Sequence, residues 1–130
     1  MHKIEEKIET KAAPKKVWRA WADHWKHAGH GPFREGLSGA VIQRGRKAPF
    51  RISNVTPNKS FQVNWHAFLM CMVFTYDVKP KDKRGSIVRC RVDFRGFLGG
   101  PIGLFLKSKL KKSVRESLTQ FVSQLEMMPD

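Results

Sequence analysis

Apolar and charged residues alternate between Val88 and Arg95, and this alternation predicts a β-strand. A period of two is typical of a strand that has one buried face and one solvated face. Gly96 and the run Gly99-Gly100-Pro101 end the strand, and Pro101 suits the first turn of a helix, where its missing N–H is not needed. The apolar face of the strand carries Val88, Cys90, Val92 and Phe94.

The spacing of apolar residues changes after Pro101 to intervals of three and four, which predicts an α-helix. The residues that follow this spacing are Leu106, Leu110, Val114, Leu118, Phe121 and Leu125. A long helix that is apolar on one side needs an apolar surface to cover. We therefore expect this C-terminal helix to lie across the apolar face of the sheet that precedes it.

The N-terminal part of the chain predicts a strand followed by a short helix. Ile4 and Ile8 share one face of the strand, and Pro14 follows at the position expected for the start of a helix. That helix brings together Val17, Trp18, Trp21 and Trp25 at helical spacing. We interpret its three tryptophans as packing residues, because each buries a large apolar area. The glycine-rich segment 28–39 is predicted to be irregular, with a second short helix as an option.

Residues 40–85 predict antiparallel strands joined by turns. The strand segments are Ala40–Gln43, Pro49–Ser53, Phe61–Ala67 and Phe68–Val78. In the last of these, Thr75 and Asp77 mark the solvated face, so that Met70, Met72, Phe74, Tyr76 and Val78 point inward. A run of strands between helices, without βαβ alternation, favours an α+β fold with the helices on one face of an antiparallel sheet.

A chain of 130 residues has the length of one domain, and we predict a single domain over residues 1–130. No apolar run reaches the roughly 18–20 residues of a membrane span, and the N-terminus lacks the pattern of a secretory signal. Strand parity places Cys71 and Cys90 on opposite faces of the sheet. We therefore expect two free thiols and a reducing, cytoplasmic setting.

The net charge of +14 is unusual for a chain of this size, and it is spread over both halves of the sequence. Such a surface attracts nucleic acid, anionic lipid or an acidic protein, at least non-specifically. The competing interpretation is a protein that is merely basic. We expect at most a weak association with nucleic acid or with an anionic membrane.

The candidate metal-ligating and catalytic residues form no recognised pattern. His24, His27 and His30 are closely spaced, but no carboxylate or cysteine accompanies them in a known ligand set, so we predict no metal and no cofactor. Ser113 and Ser117 flank the apolar stripe of the last helix without a nucleophile motif around them. The sequence therefore favours a binding protein over an enzyme.

Three segments, in this order, resemble one known superfamily: Ile8–Trp18, with its Ala-Pro and Val-Trp pairs, then Val55–Asn58, then Val92–Gly96. They are similar to the START-like proteins, also called SRPBCC or polyketide cyclase/lipid-transport proteins. The resemblance implies the helix-grip fold, in which a curved antiparallel sheet wraps around a long C-terminal helix and leaves a hydrophobic cavity. It implies no single activity, because members carry lipids, sterols or quinones, cyclise polyketides, act as co-chaperones or bind ribosomes.

The resemblance and the apolar pattern together predict which residues line the cavity. The lining candidates are Trp65, Met70, Met72, Phe74, Tyr76, Val88, Cys90, Val92, Phe94, Phe105, Leu106, Leu110 and Val114. The polar candidates inside the cavity or at its mouth are Asn54, Ser113, Ser117, Lys107 and Lys111. A solid core could use the same apolar residues. In a cavity, a Val92→Trp substitution would cost little stability, whereas in a solid core it would overpack.

We expect the protein to bind a hydrophobic or amphipathic small molecule, such as a lipid, a quinone or a polyketide-like compound, as a carrier or a sensor. One alternative is an enzyme of the polyketide cyclase or dehydratase type. The other is a basic module that binds ribosomal RNA or an anionic membrane surface.

Overall fold

A computed structural model describes residues 2–29, 31–43, 45–67, 70–81, 85–96 and 100–128, and these residues form six β-strands and two α-helices. In chain order the elements are β1 His2–Thr10, α1 Pro14–Ala28, β2 Ser38–Gln43, β3 Arg46–Thr56, β4 Ser60–Ala67, β5 Met70–Pro80, β6 Ser86–Gly96 and α2 Gly100–Met127. The predicted order of strands and helices is confirmed. The optional second short helix is not formed, because residues 31–36 make bends and a turn.

The six strands form one antiparallel sheet in the order β1-β6-β5-β4-β3-β2. Neighbours in sequence from β2 to β6 pair as hairpins, and β1 closes the order by pairing with β6. The register places Phe74 opposite Val92 and Tyr76 opposite Cys90. Directly opposed residues of an antiparallel pair point to the same side, so the predicted apolar face of β5 and β6 is confirmed.

Both helices pack on this apolar face, which we call the inner face. Trp21 of α1 stacks on Phe121 of α2 with ring centroids 5.6 Å apart, and it meets Phe61 of β4 edge-on at 5.3 Å. Trp25 packs edge-on against Phe50 of β3 at 5.0 Å. These contacts join α1, α2 and the sheet, and they confirm that the tryptophans of α1 are packing residues.

The C-terminal end of α2 is fastened to the junction between β1 and α1. The carboxylate of Glu126 accepts hydrogen bonds from the Thr10 hydroxyl at 3.0 Å and from the Lys11 amide at 2.9 Å. The Lys16 ammonium group donates to the carbonyl of Met128 at 2.7 Å. Over its length, α2 packs mainly along β1, with lighter contact to β6.

The opposite face of the sheet, the outer face, is polar. Arg89 donates to Asp77 at 2.8 Å and to Glu5 at 3.2 Å, so one guanidinium group links β6, β5 and β1. Further along the same face, Gln62 donates to the hydroxyl of Thr75. The alternation of apolar and polar residues in the sequence therefore separates a helix-covered apolar face from a polar face, as predicted, although Thr75 and Asp77 are buried on the polar face and not solvated.

Candidate ligand-binding site

The inner face is sealed at one end and partly open at the other. On β4, Phe61 and Val63 are completely buried, whereas Trp65 is only half-buried. On β5, Val78 is buried, whereas Phe74 and Met72 are half-buried. The register pairs Trp65 with Met72 and Val63 with Phe74. The partly uncovered side chains therefore lie side by side at one end of the face.

The two helices explain this difference in burial. Trp21 of α1 covers the sealed end, where the last turns of α2 also pack, and Trp25 reaches Trp65 edge-on with ring centroids 6.0 Å apart. On α2, Val114, Leu118 and Leu125 are buried, but Leu110, nearer the start of the helix, is half-buried. Of the sheet-facing residues of α2 whose side chains the structure describes, Leu110 is thus less completely covered than those nearer the C-terminal end, apart from half-buried Phe121. The half-buried residues of β4 and β5, together with Leu110 of α2, form the candidate binding site.

Four of the predicted lining residues belong to the solid part of the core, namely Val114 on α2 and three residues of β6. Val88, Cys90 and Val92 point inward, as their parity predicted, but they are almost completely buried. Val92 lies between Ile4 and Phe74 in the register of the three neighbouring strands. A tryptophan at position 92 would therefore overpack the core, and the expectation that Val92→Trp costs little stability is corrected.

Tyr76 and Cys90 form a polar pair inside the apolar face. The ring of Tyr76 is partly exposed, but its hydroxyl is buried and hydrogen-bonded to the thiol of Cys90. Burial raises the pKa of Tyr76 well above its usual value and raises the pKa of Cys90 to about 12, against a smaller lowering by the hydrogen bond from Tyr76. Both groups stay protonated at neutral pH, so neither serves as a proton acceptor.

Of the predicted polar residues, Asn54 is turned away from the inner face, and the four on α2 differ in burial. Asn54 is exposed, and its amide donates to Gln62 on the outer face at 2.6 Å. Strict alternation after Ile52 would turn Asn54 inward, but a register shift between Ser53 and Thr56, and a φ of 51° at Asn54, redirect it. Further exposed residues are Ser113, Ser117 and Lys111, whereas Lys107 is half-buried.

Four predicted lining residues cannot be placed in the site. The side chains of Met70, Phe94, Phe105 and Leu106 lie outside the described residues. The backbone register nevertheless pairs Met72 with Phe94, next to the half-buried residues of β5.

The histidines that suggested a metal site by their spacing make other contacts. His24 packs edge-on against Trp25 at 5.0 Å, and burial lowers the pKa of His24. His27 contacts the carbonyl of Asp23 at 2.7 Å. His30 lies outside the described residues. Within the described ranges, no three side chains of the metal-ligating types come together.

The sequence analysis missed one inward-facing carboxylate. Glu6 is half-buried and lies opposite Cys90 in the register of β1 and β6, so it shares the inner face with Ile4 and Ile8. It borders a shallow pocket of about 70 Å³ between β1 and α2, where Arg115 and Thr119 lie on the helix side. Side chains alternate along a strand, so the positions of Ile4 and Ile8 could have placed Glu6 on this face.

Comparisons with known proteins identify the fold but no close relative. No family model matches the sequence, and no curated protein matches it. Solved structures do match over almost the whole chain. Aha1 from Colwellia psychrerythraea is 18% identical with a TM-score of 0.72, covering 98% of each chain. Norcoclaurine synthase from Thalictrum flavum is 11% identical with a TM-score of 0.75, covering 99% of this chain and 95% of that one.

A third structure carries the superfamily name itself. A START superfamily protein from Mycobacterium smegmatis is 16% identical with a TM-score of 0.68, covering 96% of this chain and 99% of that one. The chain therefore has the START-like, helix-grip fold, and the resemblance of the three sequence segments is confirmed at the level of the fold. At these identities the likeness defines a class of fold and assigns no activity. Neither described helix is long and apolar enough to cross a membrane.

Proposed function

We propose that this protein binds a hydrophobic or amphipathic small molecule, such as a lipid, a quinone or a polyketide-like compound, between the inner face and the N-terminal half of α2. The observation that supports this most directly is the partial exposure of Trp65, Met72 and Phe74. These large side chains point toward the helix side of the sheet, where a solid core would cover them. A ligand in that space would complete their burial.

The types of residue at the open end favour ligand binding. Trp65 and Phe74 meet edge-on with ring centroids 6.4 Å apart, so two partly exposed aromatic rings lie side by side. Met72 is unbranched and polarizable, so it adapts to irregular apolar shapes. Small-molecule sites are typically concave and apolar, with few polar groups. On α2, Leu110 adds a half-buried apolar side chain.

A carrier or sensor fits the described residues better than a cyclase. A proton-transfer enzyme needs an acid or base whose pKa lies near the working pH. The inward-facing pair of Tyr76 and Cys90 has pKa values raised far above that range. Norcoclaurine synthase shares the fold, but at 11% identity it supports no transfer of its chemistry.

Two further features belong to the same proposal. The first strand, β1, pairs with β6, and the last helix, α2, packs along β1. These contacts favour a single domain over residues 1–130.

Cys71 and Cys90 are both unpaired, which favours a reducing compartment such as the cytoplasm.

The proposal is tested with Nile red, a neutral probe whose binding does not depend on the basic surface. We expect the wild type to bind the dye with enhanced fluorescence, and we expect Leu110→Trp to weaken that binding by roughly tenfold because the indole would occupy the space. The matched control is Gln120→Trp, since Gln120 is an exposed position on the same helix. Thermal unfolding of each variant separates blocked binding from loss of the fold.

A wild type that binds no Nile red would overturn the proposal. So would equal binding by wild type and Leu110→Trp when both are folded. Native mass spectrometry of freshly purified protein adds an independent measurement, because a co-purified apolar molecule would appear as a mass increment that organic extraction removes.

A further inference from the structure

The N-terminal half of α2 carries lysines on the side of the helix that elsewhere faces the sheet. Lys107 lies seven residues before Val114 and eleven before Leu118. On an ideal α-helix, residues seven or eleven positions apart project within about 20° of each other. Val114 and Leu118 are buried against the sheet, so Lys107 projects toward the same side, and it is itself half-buried.

Lys111 repeats this relation one turn later. It lies seven residues before Leu118 and eleven before Val122, and both of these residues are buried. Lys111 is exposed. Two positions that the helical repeat would assign to the core are thus occupied by cations, in the part of α2 that contains half-buried Leu110.

The packing of α2 along β1 shows which charged residues lie near these lysines. Glu6 and Arg115 border the same shallow pocket, so the inward-facing carboxylate of β1 lies at the level of Arg115. Lys111 is one turn and Lys107 two turns further toward the start of α2, roughly 6 and 12 Å along the axis. The inward-facing residue of β1 that precedes Glu6 is Ile4, which is apolar and buried.

The sequence around the lysines adds no neutralising charge. Residues 107–115 of α2 include five basic residues and no acidic one. The salt bridges between described residues place the nearby carboxylates of Glu5, Asp77 and Asp93 with Arg89 and Lys3, on the outer face. A cation held beside an apolar space favours an anionic partner there, since desolvation strengthens the attraction.

We infer that the ligand has an anionic head group, a carboxylate or a phosphate, on an apolar chain. The chain occupies the space beside Trp65, Met72 and Phe74, and the head group binds the ammonium groups of Lys107 and Lys111 at its mouth. The inference rests on the proposed function and adds the chemical class of the ligand. The long stems of both lysines allow the charged ends to stay at the mouth while the methylene groups contact the apolar wall.

The test compares three ligands with the same twelve-carbon chain, namely dodecanoate, dodecyl phosphate and dodecanol, as competitors of Nile red below their micelle concentrations. We expect at least one of the two anions to displace the dye from the wild type about tenfold more effectively than dodecanol does. The relative strength of the two anions identifies the head-group chemistry as carboxylate or phosphate.

The matched variants are Lys107→Gln/Lys111→Gln and the control Lys109→Gln/Lys112→Gln. Both remove two positive charges from the same stretch of α2, but Lys109 and Lys112 are exposed and project away from the sheet-facing side. We expect the first variant to lose the preference for the anion and to keep dodecanol binding unchanged. We expect the control to keep the preference.

Two results would overturn this inference while leaving the proposed function intact. One is Nile red binding by the wild type with no preference for either anion. The other is an equal loss of preference in both double variants, because a general charge effect would then account for it. Absence of Nile red binding by the wild type would instead overturn the proposed function itself.

Discussion

At the scale of a single residue, the two cysteines show that the face of a strand determines how buried a side chain is and what it contacts. Cys90 lies on the inner face, almost completely buried, and shares a hydrogen bond with Tyr76. Cys71 lies exposed on the outer face, with its sulfur 3.6 Å from Nδ1 of His66. Since the thiolate is the reactive form of cysteine, the two environments give the two residues different reactivities.

We predict that Cys71 reacts rapidly with Ellman's reagent in the folded protein at pH 8 and that Cys90 does not. Burial raises the pKa of Cys90 to about 12, so its thiolate population at that pH is negligible, and the reagent cannot reach it. Titration in denaturant should find both thiols. Cys71→Ser should remove the fast phase. Two fast thiols in the folded wild type would contradict the placement of Cys90.

At the scale of elements, the C-terminal helix α2 is held unequally along its length. Its last turns pack on Trp21 and are fastened by Glu126 to Thr10 and Lys11. Its N-terminal half has half-buried residues facing the sheet, among them Leu110. Under the proposed function, the fixed end of the helix would hold its position while a ligand binds beside the other end.

We predict that Glu126→Gln loosens the fixed end and lowers Tm by roughly 2–4 °C at pH 7. The amide of Lys11 and the hydroxyl of Thr10 hold the pKa of Glu126 below its usual value of 4.5. Because the folded-state pKa is lowered, this stabilisation is present above about pH 4.5 and is lost as the pH falls through the folded-state value. The wild type should therefore lose more stability than Glu126→Gln between pH 5 and pH 3.

Glu116→Gln is the matched control for this effect. Glu116 is an exposed residue of the same helix, and its substitution removes the same charge. Thermal unfolding monitored by circular dichroism at pH 7, 5 and 3 compares the three proteins. Equal changes in Tm for the two variants at every pH would show that the anchor of Glu126 does not contribute.

At the scale of the whole molecule, the net charge is +14, and the basic residues differ from one region to another in whether acidic residues accompany them. On the outer face, Arg89 is paired with Asp77 and Glu5, and Lys81 is paired with Glu9. In the first half of α2, the cluster of basic residues from Lys107 to Arg115 contains no acidic residue. The basic stretch of α2 is therefore one part of the surface that would attract a polyanion.

We predict that the protein binds single-stranded RNA weakly and without sequence preference. Affinity should fall by about tenfold or more between 50 and 200 mM salt, because release of condensed counterions supplies most of such binding. Fluorescence polarisation with random and structured RNA of equal length measures both properties. A complex with one RNA that stays tight at 200 mM salt and exceeds random RNA by a large factor would contradict the prediction and favour a specific RNA-binding role.

Local periodicity determined much of this fold before any contact was known. The alternation from Val88 to Arg95 and the three–four spacing from Leu106 to Leu125 each specify an element and the face that it buries. Both signals are local, since the backbone geometry of strand and helix sets the period and the hydrophobic effect sets the buried side. For that reason the sequence predicted the inward direction of Tyr76, Cys90 and Val92, and the opposite direction of Cys71.

Only the tertiary structure decided how these faces are filled. The hydrogen bond between Tyr76 and Cys90 depends on the register of β5 and β6, and the outward turn of Asn54 depends on a bulge that strict alternation does not foresee. The division of one apolar face into a sealed end and an open end arises where α1 and α2 meet the sheet, through contacts such as Trp21 with Phe121. Those contacts join residues about a hundred positions apart, and their geometry follows from packing whole elements together, which no local period encodes.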